Sequence, residues 1–373
     1  MNIIVDARAF VVTSAGISTF LKCSLLNWAN QSPQDKFILF LPRDYDESLE
    51  LELPANVSVF MIRNRILRLL PNLVLLLIFI PFLTFKYKAG YFYSPVPCIP
   101  FGIYPKTKTI IVVHDFVNKL YNETVTLKNK ISMFLFSDRS IKNANLIWAN
   151  SYYTKELILK YYPKRKCKDI FVGCSIDTTL YKPLIIDDKR KSAIKKELGI
   201  KNRFLLFVGS LEPRKNLSFL LNLMPELYDK TGTQLVVVGG KGWKNSSIKK
   251  IISCNGYPKE AVIFCGFITN KQLAELYNIA DCFISSSINE GFGMPQLEAL
   301  KCGCPVITSH NSAMIEVING VKGGYTIDGY DPKKWIDIIA NVLSAPRIVS
   351  NNCLKRYEWA DIVTQFRSRL INI

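Results

Sequence analysis

The sequence predicts an α/β protein made of two doubly wound parallel sheets that face a central cleft. Three observations carry this reading. Short β-branched and aromatic runs alternate with longer amphipathic stretches along most of the chain, as strand–helix–strand units with parallel sheets require. The series is interrupted near residue 180 by a polar, helix-prone run, YKPLIIDDKRKSAIKKELGI, and then starts afresh. At 373 residues the chain is too long for one ordinary domain and suffices for two. No short period repeats, which excludes a solenoid.

The elements follow in order. In the first half, strands are expected at residues 3–6, 37–41, 57–62, 90–93, 109–113, 146–150 and 168–172, with helices such as 18–31 and 128–143 between them. In the second half they are expected at 204–209, 234–238, 262–265, 282–285, 305–308 and 324–327. The domains are therefore placed at 1–178 and 179–354. Residues 355–373 carry apolar side chains at helical spacing (Trp359, Ile362, Val363, Phe366, Leu370) and read as a last amphipathic helix. Ligands of doubly wound sheets bind at the carboxyl ends of the strands, so function is sought there.

Composition narrows the classes. Apolar residues make up 49% and charged residues 21%, a globular balance. The net charge of +18 favours an anionic partner. No nucleic-acid-binding signature accompanies it, leaving a solvated basic surface or an anionic membrane face. Ten cysteines without a C-x-x-C pair and only two histidines give no zinc spacing. They read as reduced thiols, and the expected location is the cytoplasm. The chain opens directly on a strand, MNIIVDARAF, with no leader pattern. The apolar run Leu73–Leu83 contains Pro81 and falls short of the roughly 20 residues needed to span a bilayer. It is expected either as a core helix or, with Arg63, Arg65, Arg68, Lys86 and Lys88 at its flanks, as a peripheral contact with the inner face of the cytoplasmic membrane.

Four motifs carry chemistry. The string SSSINEGFGMPQLEALKCGCPVI follows a strand. Gly291 and Gly293 allow close backbone approach, and their N–H groups, with the helix N-terminus, make an anion site, with Phe292 and Met294 as neighbouring donor-binding candidates. Pro295 is expected at the first helical position and Glu298 in the first turn, with Leu297 beside it. A carboxylate next to an anion site makes sense for a ligand with both phosphates and hydroxyls. Glu298 is assigned to a ribose diol and Glu290 to hydroxyls of a transferred sugar. In LLFVGSLEPRKNL, a strand ends at Gly209 and Ser210, and Arg214 and Lys215 place two cations at its carboxyl end, suited to a diphosphate. DARAFVVTSAGISTFL offers Gly16 at a helix start. TIIVVHDF puts His114 at a strand end, placed to bond a sugar hydroxyl, with Asp115 to orient it.

Together these strings resemble retaining glycosyltransferases of family 4, which have the GT-B fold of two Rossmann-like domains. VDARAF, AGISTFL, VVHDF, VGSLEPRKNL, VVGGKGW, LAELYNIADCFISSSINEGFGMPQLEAL and CGCPVITS occur in the family's order across nearly the whole chain, and Glu290 and Glu298 form its E-x7-E motif. Ile315 stands where the family often has proline, and one glycine, Gly16, stands where it usually has two. The resemblance implies hexose transfer from a nucleotide-diphosphate sugar with retention, Arg214 and Lys215 on the diphosphate, Glu290 and the amides of Phe292 and Gly293 on the sugar, Glu298 on the ribose, and His114 at the reacting face. It also implies that the C-terminal helix crosses back to the first domain. LEPRKN and GGKGW look like strings of the family's bacterial mannosyltransferases of polysaccharide synthesis, so GDP-mannose is the favoured donor, with a glycan or lipid-linked acceptor.

No cofactor is expected. The pair Asp44 and Asp46 in RDYDES is the one candidate for a metal, and with Arg214 and Lys215 available a metal is not required. The alternatives are a nucleotide-sugar epimerase and a non-catalytic sugar-nucleotide-binding protein of the same fold.

Overall fold

The structure is a computed structural model and describes residues 1–11, 15–44, 52–120, 133–240, 246–348 and 352–371. The chain divides into two compact units, one of Met1–Ile176 with Tyr357–Ile373, the other of Asp177–Arg356.

The first unit is a seven-stranded parallel sheet: β1 (Asn2–Asp6), β2 (Lys36–Leu41), β3 (Val57–Met61), β4 (Tyr91–Ser94), β5 (Lys108–Val113), β6 (Leu146–Ala149) and β7 (Ile170–Val172). Its order is β3-β2-β1-β4-β5-β6-β7. Ile3, Ile4 and Val5 of β1 are all fully buried, as expected for a parallel strand covered on both faces. Helix α1 (Ala15–Gln31) follows β1, and α2 (Asn72–Lys86) leads into β4. Helix α3 (Tyr152–Tyr161) is capped by Ser151, whose side chain accepts from the Thr154 N–H.

The second unit is a six-stranded parallel sheet: β8 (Phe204–Val208), β9 (Gln234–Val238), β10 (Val262–Gly266), β11 (Cys282–Ser285), β12 (Val306–Ser309) and β13 (Gly324–Ile327), in the order β10-β9-β8-β11-β12-β13. Helix α4 (Asp188–Leu198) opens the unit and ends on left-handed Gly199. Helices α5 (Leu217–Thr231), α6 (Asn270–Ile279), α7 (Met294–Lys301) and α8 (Pro332–Ser344) follow strands. Leu220, Leu221, Met224 and Leu227 of α5 and Trp335, Ile336 and Ile339 of α8 pack with Leu205, Leu235, Ile284 and Ile307 of the sheet into one core.

Helix α9 (Trp359–Leu370) belongs to the first unit. Phe366 lies 4.2 Å from the Trp148 ring and 5.0 Å from that of Trp28, centroid to centroid, and the Tyr91 hydroxyl donates to the Leu370 carbonyl. The last helix is thus built into the core of the first sheet.

One expectation changes at this level. The helix foreseen at 128–143 is, in its described part, a π-helical turn (Met133–Asp138) followed by a short α-helix (Arg139–Asn143), while 128–132 lie outside the described residues. The helix expected over the apolar run Leu73–Leu83 is α2, which continues through Pro81.

Candidate active site

In the second sheet, β8 and β11 are neighbours although β9 and β10 lie between them in sequence. Loops leaving such a pair at their carboxyl ends diverge, and this switch point is where doubly wound sheets hold ligands. The residues singled out after β8 and β11 are the two sides of that point.

After β8 the chain passes Gly209 and Ser210, turns through a 3-10 turn (Pro213–Lys215) and enters α5. Close approach of two glycines shapes the start of this loop. Gly239, just after β9, has φ +143°, and a Cβ there would sit 2.0 Å from the Gly209 carbonyl oxygen. After β11, the Ile288 N–H donates to the Arg214 carbonyl (2.8 Å) and the Ser286 hydroxyl to the Asn216 carbonyl (2.9 Å), which ties the two loops together.

This brings both cations onto one carboxylate. Arg214 Nη1 donates to Glu290 Oε2 (2.8 Å) and to the Asn289 carbonyl (2.7 Å), and its Nη2 donates to Glu212 Oε1 (2.6 Å). Lys215 Nζ donates to Glu290 Oε1 (2.6 Å), and the Ser287 hydroxyl donates to the same oxygen (2.7 Å). The Glu290 N–H donates to Ser312 Oγ (3.0 Å). Burial alone would raise the Glu290 pKa, but Lys215 and Arg214 reverse that and hold it at about 2.

Glu298 sits differently. Gly293, left-handed at φ +100°, is the N-cap of α7, so the helix starts at Met294. That makes Pro295 the second helical residue and puts Glu298 in the second turn, not the first as expected. No acid occupies the first turn, so helix-dipole compensation does not account for Glu298. Its carboxylate is buried, which raises its pKa to about 7 against the opposing effects of a hydrogen bond from Tyr277 and the charge of Lys215. The Tyr277 hydroxyl, on α6, donates to Glu298 Oε2 at 2.9 Å. Helical periodicity turns the Leu297 side chain into the core at 0% exposure, and its N–H donates to the Gly293 carbonyl. Gly291 and Phe292 are buried.

In the first unit, His114 follows β5. Its Nε2 lies 2.9 Å from the Pro95 carbonyl oxygen. A carbonyl only accepts, so Nε2 carries the proton and Nδ1 is the acceptor in the neutral ring. Burial lowers the His114 pKa, against the hydrogen bond to Pro95 and the charge of Asp115. The Pro95 carbonyl orients the ring through Nε2. Gly16 lies exposed in the first turn of α1. Asp44 accepts from Arg68, while Asp46 lies outside the described residues.

Sequence reasoning missed three groups. Ser287 and Tyr277 bond the two glutamates, Ser287 from three residues before Glu290 in the same loop and Tyr277 from a different helix than Glu298, a contact that only the tertiary fold reveals. At the switch point of the first sheet, between β1 and β4, Arg8 makes a two-pronged pair with the buried carboxylate of Asp6 (2.8 Å to each oxygen), and the Ser94 hydroxyl donates to the same group at 3.1 Å. The string DARAF held this pair without showing its use.

Residues 188–357 match the family model described as "Glycosyl transferases group 1". The chain is similar to spore coat protein SA of Bacillus subtilis, 28% identical over 65% of this chain and 66% of that protein. It is also similar to the serotype-specific mannosyltransferase WbdA of Escherichia coli, 25% identical over 57% of this chain and 26% of that protein. It thus spans just under two thirds of the length of the first and about a quarter of the second. A crystal structure of Anabaena HepE in complex with UDP and glucose covers 100% of both chains with a TM-score of 0.73 at 16% identity. That likeness, over all of both chains, identifies the architecture as GT-B, two Rossmann-like parallel-sheet domains. The family match lies on the second unit, which is thus similar to glycosyltransferase group 1 domains.

Proposed function

We propose that this protein moves a hexose from a nucleoside-diphosphate sugar to a glycan or lipid-linked acceptor, with retention at the anomeric carbon, in surface polysaccharide synthesis. The observation that carries the reading is the pairing of Arg214 and Lys215, at the carboxyl end of β8, with the single carboxylate of Glu290 from the loop after β11. Two cations held at a sheet's switch point match a diphosphate in charge and in position.

The arrangement gives the donor an order of events. An entering diphosphate competes with Glu290 for Arg214 and Lys215. The displaced carboxylate is then free to accept from hydroxyls of the sugar. As the glycosidic bond breaks, negative charge grows on the departing phosphate, and the two cations stabilise it without moving. A double displacement would need a carboxylate nucleophile at the anomeric carbon. In this reading Glu290 is taken up by hydroxyls of the sugar, and no other carboxylate is assigned to the anomeric carbon. Front-face attack, with the leaving phosphate taking the acceptor's proton, fits these groups better. Glu298 accepts from the ribose diol, and neutral His114 offers Nδ1 to a hydroxyl.

Mannose is the favoured hexose, supported by the name of the mannosyltransferase relative and by the LEPRKN and GGKGW strings, the second of which lies partly outside the described residues. The protein works on the cytoplasmic side, where nucleotide sugars are made.

The test is product analysis with a panel of GDP- and UDP-sugars, following nucleoside diphosphate release and the anomeric configuration of the product. Transfer with retention is expected, with GDP-mannose the best donor. Inversion would reject the front-face mechanism. A changed sugar with no transfer would indicate an epimerase, and binding without turnover of any donor would indicate a non-catalytic protein.

A further inference from the structure

Helix α2 uses its two faces in different ways. Leu75, Leu76, Ile80 and Leu83 are buried in a core with Ile4, Ile38, Phe40 and Phe92 of the sheet. Val74, Ile78, Phe82 and Phe85 fall on the opposite side at helical spacing and are exposed, Ile78 and Phe82 to 51% and 52%. In the turn before the helix, Ile66 and Leu69 are exposed to 77% and 82%. A water-facing helix normally shows polar residues on this side, so an apolar stripe there marks a surface that is covered in use.

Charge says what covers it. Residues 53–114 contain seven cations (Arg63, Arg65, Arg68, Lys86, Lys88, Lys106, Lys108) and no carboxylate, and of these Arg68 is paired with Asp44. Arg63 and Arg65 are exposed near one end of the helix, Lys86 and Lys88 at the other. The Lys86 ammonium lies 5.8 Å from the Phe82 ring centroid, so cations border the apolar stripe. A second copy of this chain would bring the same exposed cations, Arg63, Arg65, Lys86 and Lys88, against these. A soluble polyanion would match the charge and leave the stripe in water. An anionic bilayer takes both, with side chains among the acyl chains and cations at the headgroups. The helix has 15 residues, about 22 Å, and no helix among the described residues is long and apolar enough to cross a membrane.

We propose that the outer face of α2, with the cations at its two ends, lies in the plane of an anionic lipid bilayer and holds the first unit on its surface. The inference does not rest on the transfer reading, and its test needs no turnover.

The full chain is floated through a density gradient with vesicles of phosphatidylcholine mixed with phosphatidylglycerol, and with vesicles of phosphatidylcholine alone. The protein is expected to float with the anionic vesicles, less so at high salt, and weakly with phosphatidylcholine. Arg63→Gln with Arg65→Gln should lower partitioning on the order of tenfold or more, from about fivefold per cation. Ile78→Glu with Phe82→Glu should abolish it while leaving the circular dichroism spectrum unchanged. Should that variant fail to fold, Ile78→Ser with Phe82→Ser replaces it. Absence of flotation at any salt, equal flotation with both vesicle types, or full flotation of the Ile78 and Phe82 variant would each overturn the proposal. So would sedimentation showing a dimer that this variant dissolves, because the cover would then be a second copy.

Discussion

Two glutamates eight residues apart meet opposite environments. Glu290 is held ionised by two cations, and Glu298 is buried beside a tyrosine hydroxyl with its pKa near 7. The consequences for stability have opposite signs. Glu290, depressed from 4.5 to about 2, contributes stability that is present above pH 4.5 and is lost as pH falls toward 2. Glu298, raised from 4.5 to about 7, keeps a proton in the folded state that the unfolded chain has released. Stability therefore falls as pH rises from about 4.5 to 7 and is level above. Glu298→Gln should remove that slope. Between pH 5 and 7.5 the wild type should lose on the order of 2 kcal/mol more than the variant in urea unfolding. Parallel curves for the two proteins would place Glu298 in an ordinary, solvated environment. Their roles separate by calorimetry. Glu298→Gln should weaken binding of a nucleoside diphosphate more than Glu290→Gln, since removing Glu290 also frees Arg214 and Lys215 for the phosphates. The reverse order would exchange the two assignments.

At the scale of elements, strands were legible almost to the residue. Expected ranges such as 234–238, 282–285 and 324–327 coincide with β9, β11 and β13, because buried parallel strands read as short, unbroken β-branched runs closed by polar or glycine residues. Helix starts were harder. The left-handed Gly293 shifts the start of α7, and only a backbone angle reveals that. Helix α2 was legible as a helix and ambiguous in use, because an apolar run with nearly uniform composition does not say which side is buried. The structure gives both answers, one for each face. The site was legible where a motif supplies the residue, as for Arg214, Lys215 and Glu290. It was not legible where contact depends on elements distant in sequence, as for Tyr277 on Glu298. Loop geometry yields its own prediction. Gly239 combines φ +143° with a Cβ position 2.0 Å from a carbonyl oxygen, so Gly239→Ala must push the β8 and β9 loops apart. A loss of about 3 kcal/mol or more in stability is expected, together with weaker nucleoside diphosphate binding. A variant as stable as wild type, with unchanged binding, would mean that this close approach does not shape the loop.

For the whole molecule, both units repeat one plan. Each sheet starts in its middle, winds outward to one edge, returns to the middle and winds to the other. Each therefore has a switch point, and polar side chains gather at both: Asp6, Arg8 and Ser94 in the first, Arg214, Lys215 and Glu290 in the second. The second group supplies two positive charges from the protein itself. Activity should therefore survive exhaustive chelation with EDTA. Complete loss, restored by manganese or magnesium, would show that those charges do not replace a metal ion and would return attention to Asp44 and Asp46. The central claim is that Arg214 and Lys215 stabilise the leaving diphosphate, and the single-turnover rate of Arg214→Ala with the best donor tests it most directly. Loss of one such donor is expected to cost roughly 10²–10³ in the chemical step, with donor affinity reduced far less. A rate within a few-fold of wild type, in a variant shown to be folded, would contradict the account.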